Sequence, residues 1–173
     1  APFAIIALVV LTGLAAVCNL KAIPGLTVFA VAFWGVLISD NSTRDFQAAI
    51  EGMTGAVRGG AVRRYFRQLL ATIVLGLLFT GVIIFRLSFV TPLFALALLV
   101  GIISVAALAN SLGKLTNTPK TFMSLYLFTV YISTQADKAV MLDIFGFNQV
   151  TTLANVMMQS EIALTAIVLG YIY

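Results

Sequence analysis

The sequence predicts an all-α fold: a polytopic transmembrane helical bundle of about six spanning helices, with one amphipathic helix lying on the membrane surface. Three observations carry this expectation. Of 173 residues, 61% are hydrophobic and only 9% charged, and mean hydropathy is +1.10. The apolar residues fall into runs close to the roughly 20 residues that a helix needs to cross a hydrocarbon core about 30 Å thick. The basic residues gather between those runs. A soluble domain carries about 25% charged residues because it must coat its surface with them. Ten basic and six acidic side chains cannot coat a soluble globule of this size.

The first run covers about 2–20 and is broken by Lys21 and Pro24-Gly25. No basic residue precedes it, so it lacks the charged start of a signal peptide and reads as a spanning helix. The chain begins at Ala1 without methionine and ends in an apolar run, as expected of a processed chain or of part of a longer one. A second span covers 23–39, with Trp34 near its far end, where aromatic rings favour the membrane interface. Residues 40–68 form the only long polar stretch. Within it, 43–58 reads as an amphipathic surface helix: Ser42 can cap it, Asp45 sits in its first turn, and Phe46, Ile50 and Met53 share a face. Gly59-Gly60 is expected to end it.

Spans three to six are expected at 69–85, 93–112, 121–135 and 150–173. Arg86 and Pro92 mark the tight turn after the third. Gly113 and Lys114 close the fourth, which contains the small residues Ala106, Ala107 and Ala109. The fifth is short and rich in Ser, Thr and Tyr. Asp137, Lys138 and Asp143 lie in the connection before the sixth. No internal repeat is visible, so an inverted-repeat transporter is not supported.

Orientation follows from the basic residues. Arg44, Arg58, Arg63, Arg64, Arg67, Lys114 and Lys120 fall on one side of a six-span topology, and Lys21, Arg86 and Lys138 on the other. Seven against three places both termini with the Arg63–Arg67 cluster. Arg58, Arg63, Arg64, Arg67 and Arg86 are the candidate contacts to lipid headgroups. The net charge of +4 is concentrated in one segment and reads as an orientation signal, not as nucleic-acid binding.

Composition also narrows the chemistry. There is no histidine and one cysteine, Cys18. Zinc, copper and iron–sulfur sites draw on His and Cys in numbers this chain lacks. No Ser–His or Cys–His pair can form within it, nor any internal disulfide. No cofactor or metal is predicted. Cys18 reads as a small packing residue.

Glu161 is the sharpest candidate. In a span over 150–173 it lies near mid-bilayer, where a charged carboxylate costs several kcal/mol unless it is paired or reaches water. Asn148, Thr152, Asn155 and Gln159 follow spacings of four, three and four, so one helical face would carry all of them. That row can line a polar path for protons or a small solute. It can equally hydrogen-bond to neighbouring helices. Glu161 lies about 200° around the helix from Gln159, off the row. Arg86 and Gln159 are superficially similar to the helix arginine and last-helix glutamine of the membrane stator subunit of rotary ATP synthases. The residues around Arg86 do not reproduce that family's pattern, and no role is carried over.

These features lead first to a structural or accessory subunit of a larger membrane complex, in contact with lipids and other membrane subunits. A small proton or solute channel is the alternative. A carboxylate-based lipid enzyme using Asp137, Asp143 and Glu161 ranks third, because no spacing singles those acids out. The expected location is a bilayer, either a bacterial inner membrane or an organelle membrane. Cysteines introduced at positions 58 and 88 should label from opposite faces of that bilayer. Labelling of both from one face would contradict the topology.

Overall fold

A computed structural model of the chain describes residues 2–39, 59–135, 143–148 and 151–172. Six helices of 16 residues or more occur among them: α1 (Pro2–Val17), α2 (Ile23–Ile38), α3 (Gly60–Ser88), α4 (Pro92–Thr116), α5 (Pro119–Gln135) and α6 (Leu153–Ile172). A short 3-10 turn, Leu20–Ala22, leads into α2. The expected amphipathic helix over 43–58, with Arg58, lies outside the described residues, as do Asp137 and Lys138. All four prolines sit in the first turn of a helix: Pro2, Pro24, Pro92 and Pro119. There the missing N–H would have no helical partner anyway, and the fixed φ suits the helix.

Among the described residues, four helical stretches are long and apolar enough to cross a membrane: Leu20–Ile38, Gly60–Ser88, Pro92–Thr116 and Leu153–Ile172. These helices are those of a membrane protein, and four of the six spans expected meet the length and hydropathy needed to cross. Pro2–Val17 is apolar but shorter. Helix α5 has 17 residues and carries Ser124, Thr129, Tyr131 and Ser133, which dilute its hydropathy.

Several boundaries differ from those expected. Helix α3 begins at Gly60, nine residues before the apolar run, so Arg63, Arg64 and Arg67 lie in its first turns. Arginine is a good helix former, and Gly59, at φ 73°, supplies the left-handed turn that lets the helix start there. Helix α4 passes through Gly113 and Lys114 and ends at Asn117, which has φ 54°. Arg86 lies in the last turn of α3, inside the helix. Trp34 packs inside the bundle. It is fully buried, and its indole N–H donates to the Thr72 carbonyl at 3.1 Å.

Side-chain contacts fix the helix directions. Call the ends of α3 the Arg63 end and the Arg86 end. The Arg86 guanidinium meets the carbonyls of Ala15 and Cys18, so α1 finishes at the Arg86 end. Helix α2 returns, and Trp34 reaches Thr72. Helix α4 brings Lys114 over the Tyr65 ring at 4.8 Å. The Tyr126 hydroxyl of α5 donates to the Val31 carbonyl of α2. Lys114 Nζ reaches the Gly170 carbonyl, so α6 finishes at the Arg63 end. The helices thus alternate in direction along the chain.

Helix α4 is the centre. It packs on α3, α5 and α6 and is the most enclosed of the four candidate spans. Ala106, Ala107 and Ala109 are buried at 0–2% exposure and let its neighbours approach closely. Gly76 does the same for α3, because a Cβ there would stand 2.7 Å from Ile102 and 3.0 Å from Trp34. Gly81 has no such role, with nothing within 4 Å of its would-be Cβ. The Tyr126 ring lies where a Cβ on Gly35 would be. Gly35→Ala is therefore expected to push α2 from α5 and lower stability by about 1–3 kcal/mol. Gly81→Ala should leave stability unchanged or slightly raised. Thermal unfolding in detergent measures both, and equal unfolding temperatures would contradict the α2–α5 contact.

Candidate functional site

The connection before α6 is the polar centre of the molecule. Asp143 is 1% exposed. Its Oδ1 accepts from the Phe147 N–H at 2.7 Å, and its Oδ2 from the Asn148 N–H at 2.9 Å. The Gly146 N–H donates to the Asp143 carbonyl at 3.3 Å. Gly146 has φ 72°, and a Cβ there would run into the Phe94 ring. Glycine therefore suits this position on both counts. Burial pushes the Asp143 carboxyl above its ordinary value, while the backbone donors of Asn148, Phe147 and Gly146 pull it down. Phe145, fully buried, stacks on Phe147 at 5.2 Å and packs on Gly101 of α4.

The expected polar row on one helical face is divided by this geometry. Helix α6 starts at Leu153, so Asn148 and Thr152 are not on it. Thr152 stands just before α6, where its Oγ1 accepts from the Asn155 N–H at 3.4 Å. Asn148 lies in the connection and donates through Nδ2 to the Ser133 carbonyl of α5 at 2.8 Å. Asn155 and Gln159 are on α6, both 2% exposed and turned inward. Asn155 Nδ2 donates to the Asp143 carbonyl at 2.9 Å, and Gln159 Nε2 to Asn155 Oδ1 at 3.4 Å. A chain of amides thus ties α5, the connection and α6 together.

Gln159 Oε1 is buried without a partner. It borders an internal cavity of about 70 Å³ between α4, α5 and α6, lined also by Ser104, Tyr126 and Thr129. The cavity wall is mostly apolar, and the Gln159 oxygen beside it has no hydrogen-bond partner among the described residues.

Glu161 points the other way. It is exposed on the outer face of α6, and its side chain has no partner among the described residues. It borders a groove of about 340 Å³ whose lining includes Leu108, Ile162, Thr165 and Leu169. It does not meet Arg86, whose Nη1 donates to the Cys18 carbonyl at 2.9 Å and to that of Ala15. These are end-of-helix carbonyls of α1, which lack helical donors, and a cation there also suits the helix dipole. Leu108 and Ile162 line both the inner cavity and the Glu161 groove, so the two spaces share a wall. Among the basic candidates, Arg63 and Arg67 are exposed and Arg64 is half-buried at the Arg63 end.

Sequence reading missed the role of Asp143, although Asp143, Gly146 and Asn148 carry a turn signal: an acid, a glycine three residues on, and an amide after it. It also missed three donors to the last turns of α6. The Ser111 hydroxyl reaches the Ala166 carbonyl at 2.6 Å, the Tyr65 hydroxyl reaches that of Ile167 at 3.4 Å, and Lys114 reaches that of Gly170 at 3.1 Å. Nothing in the local sequence marks such long-range pairs. Among the described residues no group of three or more His, Cys, Asp or Glu comes together to hold a metal.

Comparison with protein-family models, curated proteins and solved structures finds no match for the chain. Asp143→Ala is expected to leave two buried N–H groups unpaired and to cost about 3 kcal/mol. Gln159→Leu removes an oxygen without a protein partner and one long hydrogen bond to Asn155, and should cost about 1 kcal/mol, less than Asp143→Ala. Thermal unfolding of the two variants gives the order, and the reverse order would contradict the Asp143-centred network.

Proposed function

We propose that the protein is a structural or accessory subunit of a larger membrane complex, held to its neighbours through the outer face of α6. The observation that carries this reading is Glu161. It stands eight residues into a 20-residue apolar helix, about 12 Å along its axis. It faces outward, with no partner among the described residues. In a bilayer a carboxylate so placed needs a hydrogen-bond donor or a cation, because lipid tails offer neither. A neighbouring helix carrying a basic or amide side chain supplies one, and the Glu161 groove gives it a place to pack. In this reading six helices cross the bilayer, with both ends of the chain on the Arg63 side. Arg63, Arg64 and Arg67 meet anionic headgroups there. The bilayer is a bacterial inner membrane or an organelle membrane.

A second reading has one specific observation in its favour. The Gln159 cavity and the Glu161 groove share the Leu108–Ile162 wall. Parting those two side chains would join an outer carboxylate to an inner cavity bordered by the Gln159 amide, as a small channel or carrier for protons or a small solute requires. Asn155 and Gln159 would border its inner part, while Asn148 and Thr152 would brace the connection above it.

One substitution separates the two. Glu161→Gln keeps the shape and a hydrogen-bonding side chain but removes a titratable group. Under the subunit reading, assembly in native membranes survives and Glu161→Leu abolishes it. Under the transport reading, proton or solute flux into vesicles collapses in Glu161→Gln while folding persists. Normal assembly and normal flux in Glu161→Leu would remove Glu161 from both roles.

A further inference from the structure

The geometry points to a binding site for one anionic phospholipid between α1 and α2, with its acyl chain along the helices and its phosphate at Arg86 and Lys21. The inference is independent of the partner assigned to Glu161, which lies on α6.

Helix α1 packs on α3 as well as on α2, and it leaves an open groove along α2 of about 710 Å³. The walls include Leu11, Leu14 and Cys18 on one side and Gly25, Phe29 and Phe33 on the other. The lining extends from Cys18 back to Ala7, about 16 Å of helix. Phe29 is 71% exposed and Leu14 52%, so these walls are not closed by the chain's own core. Gly25 widens the groove at the Arg86 end, with nothing within 4 Å of its would-be Cβ. Apolar walls of this length suit a lipid tail.

Charge sets the headgroup. Arg86 stands at the Cys18 end of the groove, its Nη1 2.9 Å from the Cys18 carbonyl and 3.8 Å from Cys18 Sγ. Only Nη1 is occupied by these contacts; the remaining guanidinium N–H groups have no partner among the described residues. Lys21 is exposed on the 3-10 turn, next to Ala22, which also lines the groove. The two acids among the described residues, Asp143 and Glu161, belong to the connection and α6. A groove end with two cations and no facing acid among the described residues favours a net-negative headgroup over a zwitterionic one. Guanidinium also matches phosphate oxygens through paired N–H donors.

The test is native mass spectrometry of the full chain in detergent, titrated with dioleoylphosphatidylglycerol and, separately, with dioleoylphosphatidylcholine. One phosphatidylglycerol should bind about tenfold tighter than phosphatidylcholine, given two basic contacts. Lys21→Gln should shrink that preference. Gly25→Leu fills the groove without a clash and should abolish retention of both lipids, with helix content and unfolding temperature unchanged. Arg86 is left intact because it also caps α1. Equal affinity for the two lipids, or retention unaffected by Gly25→Leu, would overturn the site. A dimer that excludes both lipids would overturn it too, since a second copy would then cover the groove.

Discussion

The absence of water inside a bilayer is the constraint on which the rest of this structure depends. Every polar group carried into apolar surroundings must find its partner within the protein. The hydroxyl groups show how far this goes. Thr12, Thr27, Thr72, Thr80, Thr116, Thr129 and Thr165 each donate to the carbonyl four residues back on their own helix. Such back-bonding slightly weakens a helix in water. In lipid it lets a hydroxyl sit on any face without cost to its neighbours. The helix ends obey the same rule. Arg86 takes the last carbonyls of α1, and Lys114 takes that of Gly170 in the last turn of α6. Asp143 gathers the Phe147 and Asn148 N–H groups within 143–148, a stretch outside any helix.

Packing follows from the same constraint. Without a strong hydrophobic force between helices in lipid, close approach and hydrogen bonding must hold the bundle together. Helix α4 provides both. Its buried alanines, with Gly101, bring α3, α6 and the Phe145 loop near, while Ser111 and Lys114 add the polar contacts to α6. The amide chain from Asn148 through Asn155 to Gln159 then anchors the start of α6 to α5 and the connection. Glu161 is the exception among the described acids: Asp143 is enclosed by donors, and Glu161 has none. That contrast between two carboxylates directs attention to what lies outside the chain.

The helices are largely legible in the sequence because apolar runs of spanning length are local signals, while prolines that read as breaks turn out to open helices. The breaks were less so. The apolar run around Phe145 and Phe147 hides a turn that only Asp143 and Gly146 betray, so a 3.6-residue period carried the polar row through Asn148 and Thr152 when the helix starts after them. Arg63, Arg64 and Arg67 read as a boundary because charge marks the membrane edge, yet charge does not stop a helix; α3 continues through them. Trp34 and Arg86 each reach partners that no local sequence signal reveals. Their partners, Thr72 in one case and Ala15 and Cys18 in the other, lie far away in sequence and carry no local mark. Glu161 was found because a lone acid in an apolar run is conspicuous, but its outward direction depends on how α6 is rotated against α4, which no short window specifies.

The most direct measurement is photocrosslinking in native membranes from position 165, on the Glu161 groove, against position 78, on the exposed face of α3. A subunit docked at Glu161 predicts one discrete protein adduct from position 165. Mass spectrometry should place that adduct on an apolar helix bearing a basic or amide side chain. The adduct should persist in Glu161→Gln and vanish in Glu161→Leu, and position 78 should give lipid adducts. Lipid adducts alone from both positions, in membranes where the chain is folded, would contradict the account.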